Sequence, residues 1–272
     1  VIRFNLNTVF SIFKFDKIEA YTFKFTRDAE LDLDDDISTS LVEKMEKSIE
    51  RRKKGDPVRF VYDDAMPADL LSFLMKGLDL RPGENIIPGG RYHNFKDFMK
   101  FPDMGDKSLQ YKELPPVPHA HLYHKQSLIK EVLSKDILLN YPYQQFSHLV
   151  DLLREAAIDP KIQSIKINLY RVAKNSQVCN ALINAVKNGK QVTAVVELLA
   201  RFDEEHNIYW SNKLKESGVQ IIFGVPGLKV HSKLILLSRK QGKKEQFIAH
   251  IGTGNFHEGT ARVYGDCSLL TA

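Results

Sequence analysis

The sequence predicts an α/β fold, in which a mixed sheet flanked by helices forms the C-terminal part and a smaller α+β part precedes it. Beyond about residue 144, strand-like and helical segments alternate with short connections, which is typical of parallel strands joined by helices. A proline cluster at 114–118 (Leu-Pro-Pro-Val-Pro) cannot continue a helix or a central strand. We therefore predict two domains, residues 1–117 and residues 118–272.

The first part is predicted to hold two strands and two helices. Residues 18–26 alternate as a strand does, and apolar residues recur at helical spacing in 37–54. A second strand is predicted at 57–62 and a second helix at 68–76. Residues 80–118 are rich in Gly, Pro and Asp and show little periodicity, so we expect them to be irregular.

The second part is predicted to alternate helix and strand. We predict helices at 144–157, 176–188 and 204–217, and strands at 164–170, 191–199 and 219–223. Gly189 and Gly218 follow the last two helices, where glycine ends a helix at low cost. The turn at 224–227 is too short for a helix, so we expect the next strand, 229–237, to run antiparallel beside 219–223.

Two arginines and a histidine are predicted to meet at one edge of this sheet. Arg171 follows the first parallel strand and Arg201 the second, so both lie at carboxyl ends, where open α/β sheets bind ligands. His231 lies near the start of the returning strand, which brings it to the same edge. Lys233 should share its face of the strand, where a buried ammonium needs a negative partner such as phosphate. An imidazole beside fixed cations favours phosphoryl transfer, while a hydrogen-bonded core histidine is the alternative.

A glycine-rich loop, 250–259 (His-Ile-Gly-Thr-Gly-Asn-Phe-His-Glu-Gly), follows in the sequence. Its backbone N–H groups are suited to an anion, and Thr253, Asn255 and Thr260 add hydrogen-bonding side chains. Its spacing is that of neither a Rossmann loop nor a Walker A loop. A tight turn between strands is therefore the alternative interpretation.

Charge and hydropathy indicate the kind of ligand and the cellular location that the sequence favours. Residues 161–272 carry 16 Lys and Arg against 8 Asp and Glu, whereas residues 1–160 carry 23 against 26. This excess favours a polyanionic ligand in the second part, although a solvated charged surface would give the same count. No apolar run approaches the roughly 20 residues of a membrane-spanning helix, and no signal segment opens the sequence. We expect a cytoplasmic protein.

Three groups of residues are candidate metal ligands or reactive thiols. Residues 202–205 (Phe-Asp-Glu-Glu) supply carboxylates suited to Mg²⁺, but the acidic first turn of a helix is the ordinary explanation. Residues 119–124 (His-Ala-His-x-x-His) resemble a metal cluster but lack a cysteine or a second ligand pair, so we predict no metal there. Cys179 and Cys267 have no CxxC spacing and are interpreted as packing residues.

Six segments together resemble bacterial polyphosphate kinases of the polymer-forming type. They are 26–32 (Thr-Arg-Asp-Ala-Glu-Leu-Asp), 55–60 (Gly-Asp-Pro-Val-Arg-Phe), 170–173 (Tyr-Arg-Val-Ala), 197–205 (Glu-Leu-Leu-Ala-Arg-Phe-Asp-Glu-Glu), 226–233 (Pro-Gly-Leu-Lys-Val-His-Ser-Lys) and 250–256 (His-Ile-Gly-Thr-Gly-Asn-Phe). In that family a helical domain and a head domain precede two related C-terminal domains of phospholipase D-like fold. The resemblance implies that this chain holds most of the head domain and most of the first C-terminal domain.

The resemblance also implies a reaction and a site. The reaction is reversible transfer of the terminal phosphate of ATP to inorganic polyphosphate through a phosphohistidine, which His231 matches. Arg171 and Arg201 match the arginines of the ATP-phosphate and Mg²⁺ site, and Tyr264 matches a nucleotide contact. Arginine cannot ligate Mg²⁺, so we interpret both arginines as phosphate clamps beside the ion, whose direct ligands stay unidentified.

Two further residues complete the predicted site. Lys233 is expected to hold phosphoryl oxygens together with the arginines, and Asn255 is expected to bind phosphate from the glycine-rich loop. The implied partners are ATP or ADP, inorganic polyphosphate and Mg²⁺, with no nucleic acid. A homodimer or homotetramer is implied for the full-length protein, and peripheral membrane association stays open.

Two departures limit the resemblance. In phospholipase D enzymes an Asp follows the His-x-Lys motif, and Ser238 stands at that position here, which argues against a phosphodiesterase. The second catalytic histidine of the family belongs to a further domain, so we expect this chain alone not to synthesise polymer at an appreciable rate. A phosphodiester-processing enzyme of phospholipase D-like fold and a non-catalytic polyanion-binding module remain the alternatives.

Overall fold

The computed structural model describes residues 2–28, 41–53, 55, 57–80, 85–123, 127–198, 200, 203–224 and 228–272. The chain forms two compact units, residues 1–39 with 46–111 and residues 40–45 with 112–272. Compact units do not by themselves define independently folding domains, so the domain limits at residues 117 and 118 stay a prediction. No helix in the described ranges is long and apolar enough to cross a membrane.

The first unit contains a three-stranded sheet. Strand β1 (Phe23–Arg27) runs antiparallel to β2 (Pro57–Asp63), and β3 (Ile86–Gly89) runs parallel to β2. Phe60 is fully buried and stacks on Phe23 with 5.4 Å between the ring centroids. The helices of this half of the sequence are α1 (Leu6–Val9), α2 (Leu41–Lys53) and α3 (Ala68–Gly77), with short 3-10 helices at Ile2–Asn5, Phe95–Lys100 and Lys107–Leu109.

The predicted strands and helices of the first half are present, although the strand predicted from residue 18 begins at Phe23, and one segment differs in kind. Residues 80–118 were expected to be irregular, yet they contain β3. A four-residue edge strand that includes Pro88 is too short to show a period of two, which is why the pattern does not reveal it. The start of the helix predicted at 37–54 lies partly outside the described residues.

The second unit contains a seven-stranded sheet in the order β4-β10-β9-β8-β5-β6-β7. Its strands are β4 (Ile137–Tyr141), β5 (Ile162–Leu169), β6 (Gln191–Val196), β7 (Gln220–Phe223), β8 (Lys233–Gln241), β9 (Lys244–Gly252) and β10 (Asp266–Thr271). Strands β5, β6 and β7 are parallel, and the remaining pairs are antiparallel. This confirms the predicted mixed α/β sheet.

The place of β8 in the sheet corrects a prediction. It runs antiparallel to its neighbours as expected, but it pairs with β5 and β9 instead of lying beside β7. Nine-residue strands β8 and β9 form a long hairpin, whereas β7 has only four residues. Docking the long hairpin against the eight-residue β5 buries more of Ile235 and Leu237 than pairing with the short edge strand would allow.

Helices cover one face of this sheet. They are α4 (Leu128–Ser134), α5 (Ser147–Ile158), α6 (Gln177–Lys187) and α7 (Glu204–Glu216), and a 3-10 helix spans Thr260–Arg262. In α6 the buried residues Val178, Leu182 and Ala185 recur at helical spacing, and the helix packs on α5 and β6. Gly218, with φ of +91°, follows α7 and ends it as predicted.

The two cysteines differ from each other. Cys179 is fully buried in α6, where burial raises the pKa of its thiol to about 12, so the packing interpretation is confirmed. Cys267 is exposed, so the same interpretation is wrong for it. Cys267 lies on β10, where alternate side chains point away from the helices, and Ser268 next to it is buried instead.

Candidate functional site

Two parallel strands end side by side at one edge of the sheet. The register pairs Leu169, the last residue of β5, with Val196, the last residue of β6. Asn207 of α7 is 2% exposed, and its Nδ2 donates to the carbonyl oxygens of Tyr170 at 2.7 Å and Glu197 at 2.8 Å. A single buried amide therefore fixes the chain segments that follow both strands.

Glu197 connects this edge to the segment that carries His231. Its side chain is buried, and Oε2 accepts a hydrogen bond of 2.9 Å from the backbone N–H of Val230. Because Val230 immediately precedes His231, the carboxylate fixes the backbone that presents the imidazole. The sequence interpretation missed this role, although a glutamate at the end of an apolar strand already signals a buried charge that needs a partner.

His231 lies just before β8 and not within it. Strand β8 begins at Lys233, and His231 is exposed while Lys233 is 4% exposed. The expectation that both side chains share a buried strand face is therefore wrong, because residues 230–232 are not in strand conformation. The alternative of a buried core histidine is also wrong for His231.

The His231 ring is held by an aromatic contact. Its centroid lies 4.8 Å from that of Tyr170, and the two ring planes meet at 77°. Desolvation lowers the pKa of His231, and the nearby charges of Lys233, Lys229 and Arg171 lower it further. The imidazole therefore favours its neutral form, which is the nucleophilic one.

Lys233 is inside the fold, where it supports the backbone of His231. Its Nζ donates to the carbonyl oxygen of His231. Burial lowers the pKa of Lys233, Asp266 acts in the opposite direction, and Arg171 lowers it further. The predicted role of Lys233 as a direct phosphate contact stays a prediction.

Three cations surround the ring of Tyr170. The distances to the ring centroid are 5.6 Å from Arg171 Cζ, 5.5 Å from Lys229 Nζ and 5.3 Å from Lys233 Nζ. Lys229 is exposed, and the sequence interpretation gave it no role. The predicted convergence of Arg171 and His231 is therefore present, whereas Arg201 lies outside the described residues and its place in the site stays a prediction.

The glycine-rich loop opens the connection between β9 and β10, which spans residues 253–265 and includes the 3-10 helix Thr260–Arg262, so it is not the tight turn of the alternative interpretation. The N–H of Thr253 donates to Cys267 O at 3.0 Å, and its Oγ1 donates to Asp266 Oδ1 at 2.7 Å. A Cβ on Gly254 would lie 2.6 Å from the carboxyl carbon of Asp266, so this position requires glycine. Thr260 is also bonded within the loop, to His257 O at 3.1 Å. These threonines serve the loop itself.

Asn255 and Tyr264 are not joined to the His231 cluster in the part of the chain that the structure describes. Asn255 Oδ1 is buried and has no hydrogen-bond partner among the described residues. Tyr264 is 63% exposed, and its backbone N–H donates to Thr260 O at 2.9 Å. Both predicted ligand contacts therefore stay predictions.

The carboxylate of Asp203 lies beside Arg171. Asp203 Oδ2 is 3.0 Å from Arg171 Nε, and Asp203 Oδ1 is 3.9 Å from His206 Nδ1. Within the described ranges, no three His, Cys, Asp or Glu side chains are grouped as metal ligands. A single carboxylate still fits Mg²⁺, which proteins commonly hold through one or two carboxylates plus substrate phosphates and water.

The histidines at 119–121 have a structural explanation. His148 Nε2 accepts a hydrogen bond of 2.9 Å from the N–H of His119, and His119 Nδ1 accepts one of 3.3 Å from the N–H of His121. These contacts hold a turn before α4. His124, the last member of the pattern, lies outside the described residues.

Comparisons with known proteins show which family the sequence resembles. A family model described as polyphosphate kinase C-terminal domain 1 matches residues 127–272, and one described as polyphosphate kinase middle domain matches residues 1–101. The chain is 52% identical over 273 residues to a polyphosphate kinase of Vibrio vulnificus strain YJ016, covering 100% of this chain and 39% of that protein.

A solved structure of a polyphosphate kinase shows the same likeness. The crystal structure of polyphosphate kinase from Porphyromonas gingivalis matches with a TM-score of 0.72 at 36% identity, over 100% of this chain and 38% of that one. Nuc, a phospholipase D family member from Salmonella typhimurium, matches with a TM-score of 0.40 at 18% identity, over 50% of this chain and 81% of its own. The chain thus spans about two fifths of the curated relatives it matches.

Proposed function

The chain belongs to the polyphosphate kinase family, and from this premise we propose that it forms part of an ATP:polyphosphate phosphotransferase whose phosphorylated residue is His231. The observation that carries the proposal is the setting of His231. The imidazole of His231 is exposed, has a lowered pKa and meets the ring of Tyr170 edge-on. Three cations surround that tyrosine ring. Neutral nitrogen beside fixed positive charge is what attack on a phosphoryl group requires.

The proposed reaction has two balanced steps. A ring nitrogen of His231 forms a bond to the terminal phosphorus of ATP while the bond to the bridging oxygen breaks, and ADP leaves with that electron pair. A terminal oxygen of polyphosphate then attacks the phosphohistidine, which lengthens the polymer and returns the neutral imidazole. Both steps run in reverse when ADP and polyphosphate are in excess.

The charged residues have distinct proposed roles. The guanidinium of Arg171 is suited to two phosphate oxygens at once, and Arg201 is proposed to act in the same way. Lys233 holds the backbone of the nucleophile and adds positive charge from inside the fold. Asn255 and Tyr264 are proposed to bind phosphate and nucleotide, as the resemblance to the family implies.

Mg²⁺ is proposed to bind beside Arg171 and Arg201. Asp203 has a carboxylate at this place, and the phosphates of the substrate would supply further ligands. When bound, the ion neutralises charge on the phosphate oxygens. The residues of this chain keep separate tasks: Arg171 orients phosphate, and Tyr170 and Glu197 orient His231.

The test is covalent labelling of the full-length protein with ATP labelled in the γ-phosphate. We expect an acid-labile and base-stable label, because a phosphoramidate bond hydrolyses in acid. A His231→Ala variant should lose the label while its melting temperature stays unchanged, since the side chain is exposed. Labelling that persists in this variant would contradict the assignment of His231.

We also propose that the 272-residue chain alone does not synthesise polymer. It spans about two fifths of its relatives, and the resemblance places a second catalytic histidine in a domain beyond it. ATP-dependent chain growth by this chain alone, at a rate near that of the full-length protein, would contradict the proposal. Polymer length measured by gel electrophoresis distinguishes the two results.

The two alternative functions fit less well. Ser238 stands where phospholipase D enzymes have Asp; it is 6% exposed, and its Oγ is 2.7 Å from Ser164 Oγ between β8 and β5. It therefore holds two strands together and supplies no carboxylate. A non-catalytic polyanion-binding module would bind polyphosphate equally well with and without His231, and the labelling experiment separates that outcome.

The cellular setting is proposed from the family as well. We propose a cytoplasmic protein that uses ATP or ADP and inorganic polyphosphate, and a homodimer or homotetramer for its full-length form. Light scattering of the full-length protein at several concentrations tests the assembly state.

A further inference from the structure

The ring of Tyr170 is a contact shared by two separate segments of the site. Tyr170 and Arg171 follow β5, whereas Lys229, His231 and Lys233 belong to the segment that leads into β8. Each of the three cations lies between 5.3 and 5.6 Å from the ring centroid, and the imidazole meets the ring edge-on at 4.8 Å. One side chain therefore contacts every other placed member of the cluster.

An attractive group at the centre of such a cluster stabilises it. Like charges gathered around one ring repel one another, and the repulsion grows where water is partly excluded; Asp203, whose Oδ2 is 3.0 Å from Arg171 Nε, offsets part of it. An aromatic face carries the negative part of a quadrupole and attracts a cation within about 6 Å of its centroid. The same quadrupole favours the edge-to-face arrangement with the imidazole. Tyr170 thus offsets repulsion between cations that a phosphate chain would later neutralise.

The ring is mounted on a fixed backbone. The carbonyl oxygen of Tyr170 accepts a hydrogen bond of 2.7 Å from the buried amide of Asn207. The indole Nε1 of Trp210 donates to Ala173 O at 3.0 Å, which holds the chain just beyond Arg171. Both donors lie on α7, so this helix fixes the backbone that carries the ring.

We propose that Tyr170 is a positioning residue for phosphoryl transfer, whose aromatic face gathers Arg171, Lys229 and Lys233 around His231. This inference rests on the proposed function of His231, but it concerns a residue that makes no covalent bond. The hydroxyl of Tyr170 has no hydrogen-bond partner among the described residues, so the ring and not the hydroxyl carries the role. A residue that only fills space would be replaceable by any side chain of similar size.

The test compares variants of the full-length protein that separate the effect of the aromatic face from the effect of side-chain volume. Tyr170→Phe keeps the aromatic face and should label His231 from ATP within about twofold of the native rate. Tyr170→Leu keeps an apolar side chain without the aromatic face and should label about tenfold more slowly, consistent with the strength of cation–π contacts. Tripolyphosphate binding, measured by calorimetry without nucleotide, should weaken by a similar factor.

A second series stays informative even if the leucine variant fails to fold. Phenylalanine analogues with one, two and five fluorine atoms at position 170 keep the shape of the ring while they withdraw negative charge from its face. We expect the labelling rate to fall with each addition. A flat series, or a phenylalanine variant as slow as the leucine variant, would overturn the inference.

The outcomes for the two proposals differ. If His231 labels normally in the native protein but the fluorinated series is flat, only the role of Tyr170 fails. If the native protein is not labelled at His231 at all, the proposed function fails. In that case tripolyphosphate binding still decides whether Tyr170 organises the cations, because binding requires no covalent step.

Discussion

Two histidines lie at the same hairpin of the sheet and have opposite surroundings. His231 precedes β8 and is exposed, whereas His250 on β9 is 2% exposed, with Nε2 2.8 Å from Ser268 Oγ and its ring centroid 5.2 Å from that of Phe256. Both rings have a lowered pKa with desolvation as the first cause, and burial lowers that of His250 to about 4. The charges of Lys233, Lys229 and Arg171 lower the pKa of His231 further, whereas the backbone of Lys233 acts on His250 in the opposite direction.

The comparison shows two ways in which a fold keeps an imidazole neutral. Sealing the ring away from water also seals it away from substrate, so His250 is suited to packing. A ring at an open edge with cations around it is neutral and still reachable. The histidine that matters for chemistry is therefore the one whose positive neighbours can also bind a polyanion.

The largest expected difference is in stability. His250→Ala should lower the free energy of unfolding by roughly 2–5 kcal/mol, because it opens a cavity beside Phe256 and leaves Ser268 Oγ without its partner. His231→Ala, the matched control, should change it by about 0.5 kcal/mol or less. Urea denaturation measures both. Equal losses would show that the two rings are not in different surroundings.

The pH dependence of stability should follow His250 as well. Its pKa is about 4 in the folded protein and about 6.5 in an unfolded chain, so between these values the unfolded state binds the additional proton. Stability from this group is present above pH 6.5 and is lost as the pH falls towards 4, by at most about 3 kcal/mol. Denaturation at several pH values, with His250→Gln as control, should show the slope reduced in the variant.

A smaller effect should follow from removing the hydrogen bond that fixes the segment before His231. Glu197→Leu leaves the N–H of Val230 buried without its acceptor, which should cost about 1–3 kcal/mol of stability. It should also slow phosphorylation of His231 more than the stability loss explains, because the segment that presents the imidazole is freed. Glu216→Leu, at an exposed position on α7, is the control. Unchanged phosphorylation in the folded Glu197→Leu variant would remove Glu197 from the site.

Much of this arrangement follows from sequence pattern, and the exceptions have physical causes. The alternating segments predict the parallel strands and therefore the edge where Arg171 lies, since carboxyl ends of parallel strands meet. The partner of β8 is predicted wrongly, because pairing between distant strands depends on which edge buries more surface. The start of β8 is likewise misjudged, and that error placed His231 on a buried face.

Contacts between residues that are distant in the chain also cannot be read from a single sequence. Asn207 lies within an ordinary helical segment, yet its amide fixes Tyr170 and Glu197 across two loops. Gly254 suggested an anion-binding loop, whereas the structure uses its missing side chain to admit Asp266. Composition and spacing identify such residues as unusual, but only packing decides which neighbour they serve.

The smallest expected effect is a change in the pKa of His231 that His250 should not share. Lys229→Met removes one of the three cations around Tyr170 at an exposed position, so the pKa of His231 should rise towards its ordinary value while that of His250 stays unchanged. Lys240→Met, at the far end of β8, is the matched control and should leave both unchanged. Titration of the imidazole resonances by NMR measures the pKa of both histidines in both variants. A rise at both histidines, or at neither, would show that the charge around Tyr170 does not set the difference between the two rings.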